Sequence, residues 1–287
     1  MESCQELNAI LETQETPNEL PNEESQSEIK EERKEPLPPP LPLDEVEAIL
    51  GYKFKNKCLL EEAYMHETYS TEKCFSYQRL EYVGDAVLNL LVTKEQFFTY
   101  PNLSPGKLTD LRSANVDTEK LARVALKHGF HRYLRHKKPL LEEQIHEFTN
   151  AISEYPLHSH GAINVPKDLA DIVESTIGAI FIDCGCSIDI VWKVFKSLLE
   201  PTIGPDNIKK NPVTELLQFC QKQNLKIQFV DLWKESMAIN IIINGKLVGT
   251  GTYRTKKQIA VIRAAKDALN NIHIVLNARN ITNEDVL

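Results

Sequence analysis

The sequence predicts two domains of different class behind an acidic tail: an all-α domain over residues 43–200, then an α-β-β-β-α domain over residues 211–275. Three observations lead there. Apolar residues between Leu43 and Leu199 recur at helical spacing, three and four apart. After Asn211 the pattern changes to one helical run, three short β-rich runs and a closing helical run, with Asn244-Gly245 standing between the last two short runs, the strongest short hairpin signal. Charge divides the same way: residues 1–43 hold eleven Glu against three basic residues, residues 44–208 hold 18 basic against 24 acidic, and residues 209–272 hold 11 basic against 4 acidic. The overall net charge of −8 therefore conceals a basic C-terminal domain of net +7. Residues 201–210 (PTIGPDNIKK) read as a linker and 276–287 as a C-terminal tail.

Residues 1–42 are rich in Glu, Gln and Pro, nearly without aromatics, and end in PLPPPLP. Such a segment buries too little apolar surface to fold, and its proline run favours polyproline II. A solvated linker is the simpler reading; docking of a protein partner on the prolines is the alternative. The first residues, MESCQELNAILE, are acidic and lack both a secretory apolar core and transit-peptide character, and no apolar run reaches the length of a membrane span. The expected location is the nucleus, the cytoplasm or both, with no membrane partner. The six cysteines include no CxxC pair, so reduced and mostly buried thiols are expected.

Along the first domain, LDEVEAIL opens with acidic residues and stops at Gly51, and a second short helix follows through NKCLLEEAYM. The long helix runs from Tyr77 to Tyr100, with Leu80, Val83, Val87, Leu90 and Leu91 on its apolar stripe. Ser104-Pro105 opens another helix, and Lys107 to Gly129 is strongly helical, with the glycine as a stop. Arg132, Arg135, Lys137 and Lys138 form a basic patch, either solvated or in contact with phosphate. A helix from Leu140 to Glu154, a loop from Tyr155 to Val165, a helix from Pro166 to Asp183 and a last one from Ser187 to Leu199 complete the domain. Glu81 and Asp85 lie four apart on the long helix, and Asp171 and Glu174 three apart on the later one, so each pair projects from one face. Two such helices packed together would gather four carboxylates into the oxygen-rich environment that Mg2+ requires. Gly84, between the first pair, marks a close approach of another backbone.

The stretch Tyr77–Leu91, YQRLEYVGDAVLNLL, resembles the signature of the ribonuclease III family, and LADIVES resembles its partner motif. The similarity runs from about Leu43 to Glu200, while Asn211 to about Ile274 resembles a double-stranded-RNA-binding domain. The resemblance implies an all-α ribonuclease III endonuclease domain followed by an α-β-β-β-α double-stranded-RNA-binding domain. It implies a Mg2+-dependent endoribonuclease, with Mn2+ able to substitute, cutting double-stranded RNA as a homodimer. Glu81, Asp85, Asp171 and Glu174 fall on the family's metal-ligand positions. Lys167 matches a lysine that stabilises the scissile phosphate in some members, and Tyr82 matches an aromatic inserted into the partner subunit. His66, in MHETY, matches a short turn and would tie it to the signature helix as a structural residue. In the second domain, Thr214, Glu215 and Gln218 resemble the minor-groove face, and Thr255, Lys256 and Lys257 open the last helix toward phosphate.

Two departures qualify the resemblance. Gln78 stands where many bacterial members have glutamate, which removes a peripheral acid but no principal ligand. The loop LWKESM is short and lacks the Gly-Pro-x-His type segment that reaches a minor groove, so weaker or altered RNA binding is expected. The alternative function is a non-catalytic RNA-binding protein that keeps the fold for dimerisation. Such a protein would lose acidic ligands, and this sequence keeps all four.

Overall fold

The computed structural model describes residues 41–69 and 75–273. The acidic, proline-rich tail up to residue 40, the C-terminal tail and Cys4 and Cys74 lie outside them. The order of elements is α1 (Leu43–Leu50), α2 (Lys57–Ala63), α3 (Gln78–Thr99), α4 (Pro105–Val116), α5 (Thr118–His128), α6 (Leu141–Ala151), α7 (Lys167–Asp183) and α8 (Ile188–Leu198), then α9 (Pro212–Lys222), β1 (Ile227–Leu232), α10 (Trp233–Ser236), β2 (Ala238–Ile243), β3 (Lys246–Thr252) and α11 (Lys257–Asn271). This is the all-α domain followed by an α-β-β-β-α domain that the sequence predicts. None of the described helices is long and apolar enough to cross a membrane.

The helical domain is built around α7. Leu169, Ile172, Val173, Ile177 and Ile180 are fully buried, as are Ser175 and Thr176. A helix that is apolar nearly all round must be surrounded, and α2, α3, α5 and α8 pack against it. Its polar interior residues turn inward to oxygen acceptors: Ser175 Oγ donates to Ala63 O at 2.7 Å and Thr176 Oγ1 to Ile172 O at 2.6 Å. At its end, Asp183 accepts from Tyr52 Oη, Lys55 N and Asn56 N at 2.7, 3.0 and 2.8 Å. These bonds hold the Asp183 carboxyl below the usual carboxylate range against the opposing effect of burial and fasten the α1–α2 turn to α7.

The α3–α7 crossing is closer than ordinary side chains permit. A Cβ at Gly84 would stand 1.7 Å from Glu174 O, and one at Gly178 would stand 2.1 Å from Leu80 O. Two glycines, one per helix, therefore let the backbones touch. The close approach expected at Gly84 is by the backbone of the second carboxylate helix itself.

The helical stretch from Lys107 to Gly129 is two helices, α4 and α5, that break at Asp117. Asp117 takes an extended conformation (φ −72°, ψ 161°) and its carboxylate accepts from Lys120 N at 2.7 Å, an N-cap that starts α5 afresh. Asn115, just before the break, exchanges hydrogen bonds with Ile203: its Nδ2 donates to Ile203 O at 2.9 Å and its Oδ1 accepts from Ile203 N at 2.8 Å. Lys120 is buried, and its ammonium donates to Leu199 O at 2.7 Å and to Pro201 O. Burial pushes it down to about 8. The start of the 201–210 stretch is thus fixed to α4 and α5. The cysteines differ from expectation: of the four described, all free thiols, only Cys220 is buried, while Cys58 and Cys186 are exposed.

The small domain carries an antiparallel sheet in the order β1-β2-β3. The β2–β3 turn is Asn244-Gly245, both with positive φ (50° and 79°), the requirement that selects this dipeptide in a two-residue hairpin. Ile239, Ile241, Ile243 and Val248 point to one side, where Leu216 and Cys220 of α9 and Ala260, Ala264 and Ala268 of α11 complete the core. LWKESM folds as the short turn α10, closed by Met237 at φ 56°.

Candidate metal centre and RNA-facing residues

The contact at Gly84 and Gly178 sets the site. With the backbones this close, carboxylate oxygens of Glu81, Asp171 and Glu174 lie within 4.8 Å of one another, although one comes from α3 and two from α7. They line an open cavity of about 310 Å³ with Asp85, Lys167, Gln78 and Tyr82. Asp85 is exposed, at the rim, where its Oδ1 accepts from Asn89 Nδ2 at 2.9 Å. The structure thus brings three of the four expected carboxylates into one cluster and leaves the fourth beside it on the same cavity.

Burial and neighbouring negative charge oppose the ionisation of Glu174 and Asp171. Glu174 is pushed up to about 8, first by burial and then by the charges of Asp85, Asp171 and Glu81. Asp171 is pushed up to about 6 by burial, with Glu81 adding to the shift and Lys167 and Tyr77 opposing it. Tyr77 Oη donates to Asp171 Oδ2 at 3.1 Å. Lys167 Nζ bridges Glu81 Oε1 at 2.7 Å and Asp171 Oδ1 at 2.5 Å. Burial works against its charge, but the two carboxylates outweigh that and raise it above the ordinary lysine range. A cation is therefore already accommodated between these oxygens. Its side chain is 67% exposed, so it can leave, and an all-oxygen donor set suits a hard divalent ion. The residues present fit such an ion.

The raised carboxyls have a measurable consequence. At Glu174 the folded state holds a proton that the unfolded chain has lost between about pH 4.5 and pH 8, so the stability tied to this group is full at low pH and is lost as pH rises through about 8. In chelator, the melting temperature of the wild type is expected to fall from pH 5 to pH 8 relative to that of Glu174→Gln. Parallel pH profiles of the two proteins would contradict the raised carboxyl.

A second layer fixes the first turn of α7. Asp168, buried, accepts from Lys138 Nζ at 2.9 and 2.8 Å and pairs with His66 Nε2 at 3.1 Å. His66 Nδ1 accepts from Thr68 N at 3.0 Å, which leaves the proton on Nε2, facing Asp168. Burial lowers the imidazole's affinity for a second proton. His66 is a structural histidine: its ring hydrogen-bonds within its own turn, to Thr68, and pairs with Asp168 of α7, while toward the signature helix it offers an edgewise ring contact with Tyr77, centroids 5.6 Å apart. The stretch 131–138, expected as a solvated or phosphate-touching patch, is partly built in. Met65 and Arg135 form a backbone bridge, and Lys138 is committed to Asp168. Asp168 and Lys138 are the supporting residues that sequence reasoning missed. Asp168 stands three residues before Asp171, but its carboxylate is taken up by Lys138 and His66 instead of joining the cluster.

Tyr82 is 82% exposed, which excludes a core role. On α9, Thr214, Glu215 and Gln218 are exposed, with Gln218 Oε1 accepting from Lys210 Nζ at 2.7 Å. Thr255, Lys256 and Lys257 are exposed at the entry to α11, which begins at Lys257 and so leaves Thr255 and Lys256 ahead of the helix. Lys257 pairs with Asp231 and holds that carboxyl below its usual range. His158, in the loop before α7, is paired with Asp117 at 2.5 Å.

Comparison with known proteins agrees with this architecture. Residues 78–185 match the Ribonuclease III domain and residues 212–272 the Double-stranded RNA binding motif. The chain is 49% identical to Ribonuclease 3-like protein 3 of Oryza sativa subsp. japonica, over 79% of this chain and 77% of that protein. It is 42% identical to Endoribonuclease Dicer homolog 1 of the same organism, over 79% of this chain but only 12% of the relative. Among solved structures, the nuclease domain of ribonuclease III from Campylobacter jejuni aligns at 28% identity and a TM-score of 0.43, covering 56% of this chain and 97% of that one. With both domains matched, the chain belongs to the ribonuclease III family of double-stranded-RNA-specific endoribonucleases, in a form with one nuclease domain and one double-stranded-RNA-binding domain.

Proposed function

We propose that the protein cleaves double-stranded RNA with Mg2+ held by Glu81, Asp171 and Glu174, with Asp85 completing the set and Mn2+ able to substitute. The observation that carries this reading is the meeting of three carboxylates from two helices within 4.8 Å. When bound, the divalent ion lowers the pKa of a water and offsets charge on the attacked phosphate and the leaving oxygen. Glu81, Asp171 and Glu174 supply oxygen ligands, and Tyr77 keeps Asp171 turned into the cavity. Lys167, released from its bridge, neutralises the scissile phosphate. Asp168, His66 and Lys138 hold the first turn of α7, and hence Lys167 and Asp171, in place. The products carry 5′-phosphate and 3′-hydroxyl ends.

The same reading includes a homodimer, each subunit cutting one strand. Tyr82, Leu90, Phe97 and Phe98 leave an apolar succession exposed along α3, more than a helix facing only water would carry. Duplex RNA is recognised largely through shape, phosphates and 2′-hydroxyls, which suits Thr214, Glu215 and Gln218 on one helix and Thr255, Lys256 and Lys257 at the start of another. The short α10 turn leaves one of the usual reaching segments undersized.

The test is incubation of a long, perfectly paired RNA with the full chain and Mg2+, beside the Asp85→Ala/Glu174→Ala double variant. Cleavage is expected from the wild type and not from the variant, with duplex binding retained by both. Binding without cleavage by the wild type would reject the catalytic reading in favour of an RNA-binding protein that uses the fold for dimerisation.

A further inference from the structure

Helix α11 has two working faces. Ala260, Ala264 and Ala268 face the core of the small domain. On another side Ile259, Ile262, Arg263 and Lys266 recur at i, i+3, i+4 and i+7, one continuous stripe. The two isoleucines of this stripe are withdrawn from solvent. Ile262 is only 5% exposed yet lies outside the small domain's core; its Cδ1 sits 2.8 Å from where a Cβ on Gly161 would stand. Arg263 Nε donates to Ala162 O at 2.9 Å, and Ala162 is fully buried. The Lys266 ammonium lies 4.4 Å from the centre of the Tyr155 ring, within cation–π range. Arg263 is itself held in place by its own domain, stacked 4.9 Å over Tyr253 and donating to Thr252 O at 3.4 Å.

We propose that this outer stripe of α11 is a docking surface whose partner is the Tyr155–Ala162 segment of the same chain. An apolar plug, a hydrogen bond and a cation–π contact fasten the RNA-binding domain to the nuclease domain. The attachment point has consequences, because only four residues separate Ala162 from Lys167 at the first turn of α7. Thr255, Lys256 and Lys257 remain exposed in the docked arrangement, so the contact leaves the start of α11 open. The small domain is then carried in one orientation relative to the carboxylate cluster instead of swinging on a tether. The docking does not depend on the cleavage reading, and its test uses neither RNA nor metal.

The test is backbone 15N relaxation on the full chain, wild type against Arg263→Ala/Lys266→Ala on one side of the contact and Tyr155→Ala on the other. In the wild type the amides of α11 and α7 are expected to report one shared tumbling time. Either variant, its small domain still folded by its own amide spectrum, is expected to show a shorter time for α11 alone and a larger radius of gyration by X-ray scattering. A wild-type small domain that tumbles independently, or variants that tumble as the wild type does, would overturn the proposal.

Discussion

Glu174→Gln is expected to lower duplex cleavage by roughly two to three orders of magnitude, the loss that accompanies removal of one preorganised charge-stabilising group, while making the metal-free protein more stable near pH 8. The two effects have opposite signs for one reason. Glu174 is partly buried among Glu81, Asp85 and Asp171, which together push its carboxyl up to about 8. Without a cation that arrangement costs stability when ionised; with one, the same arrangement is a binding site. A neutral amide of the same shape removes the repulsion and also a ligand. The gain in stability is on the order of 2 kcal/mol, below the full 1.4 kcal/mol per pKa unit because the cavity is open to solvent on one side. Thermal melts in chelator and single-turnover cleavage in Mg2+ check the two halves. A variant that is both fully active and no more stable would remove Glu174 from the site.

Gly84→Ala is expected to cost upward of about 4 kcal/mol, among the largest single-residue effects available to this fold. The added methyl would stand 1.7 Å from the carbonyl oxygen of Glu174 and 2.6 Å from its carbonyl carbon. Both are backbone atoms of a helix buried on nearly every side, so no rotamer change relieves the overlap and the helices must separate. Separation would also pull Glu174 away from Glu81, so metal binding should weaken in whatever protein still folds. Gly106→Ala is the control, since nothing lies within 4 Å of a Cβ there, and its stability should change by less than about 1 kcal/mol. Denaturant melts of the two variants that move equally would show that the crossing is not as tight as described.

Much of this was legible in the sequence because the deciding signals are local. Carboxylates three or four apart on a helix share a face whatever surrounds them, and Asn-Gly supplies the positive φ values that a two-residue hairpin needs. What escaped reading depends on partners distant in sequence. The break at Asp117 is set by a cap and by Asn115 reaching Ile203 88 residues away, in a stretch whose helical pattern continues across the break. Lys138 reads as one more charge in a basic run until Asp168 stands next to it, 30 residues on. His66 carries no sign that its partner is on α7 and not on the nearer helix. The exposure of Cys58 and Cys186 likewise follows from which faces of the turns are covered, which composition does not reveal. The outer stripe of α11 is visible as a pattern, but only the fold shows the Tyr155–Ala162 segment lying against it.

The most direct test of the central claim is a crystal of the full chain grown with Mn2+ and measured near the manganese absorption edge. An anomalous peak is expected among Glu81, Asp171 and Glu174, with the Lys167 ammonium displaced from the position where it now bridges Glu81 and Asp171 at 2.7 and 2.5 Å. No peak at saturating Mn2+, with Lys167 still spanning the two carboxylates, would show that the lysine and not a metal is the cation this cluster was built to hold.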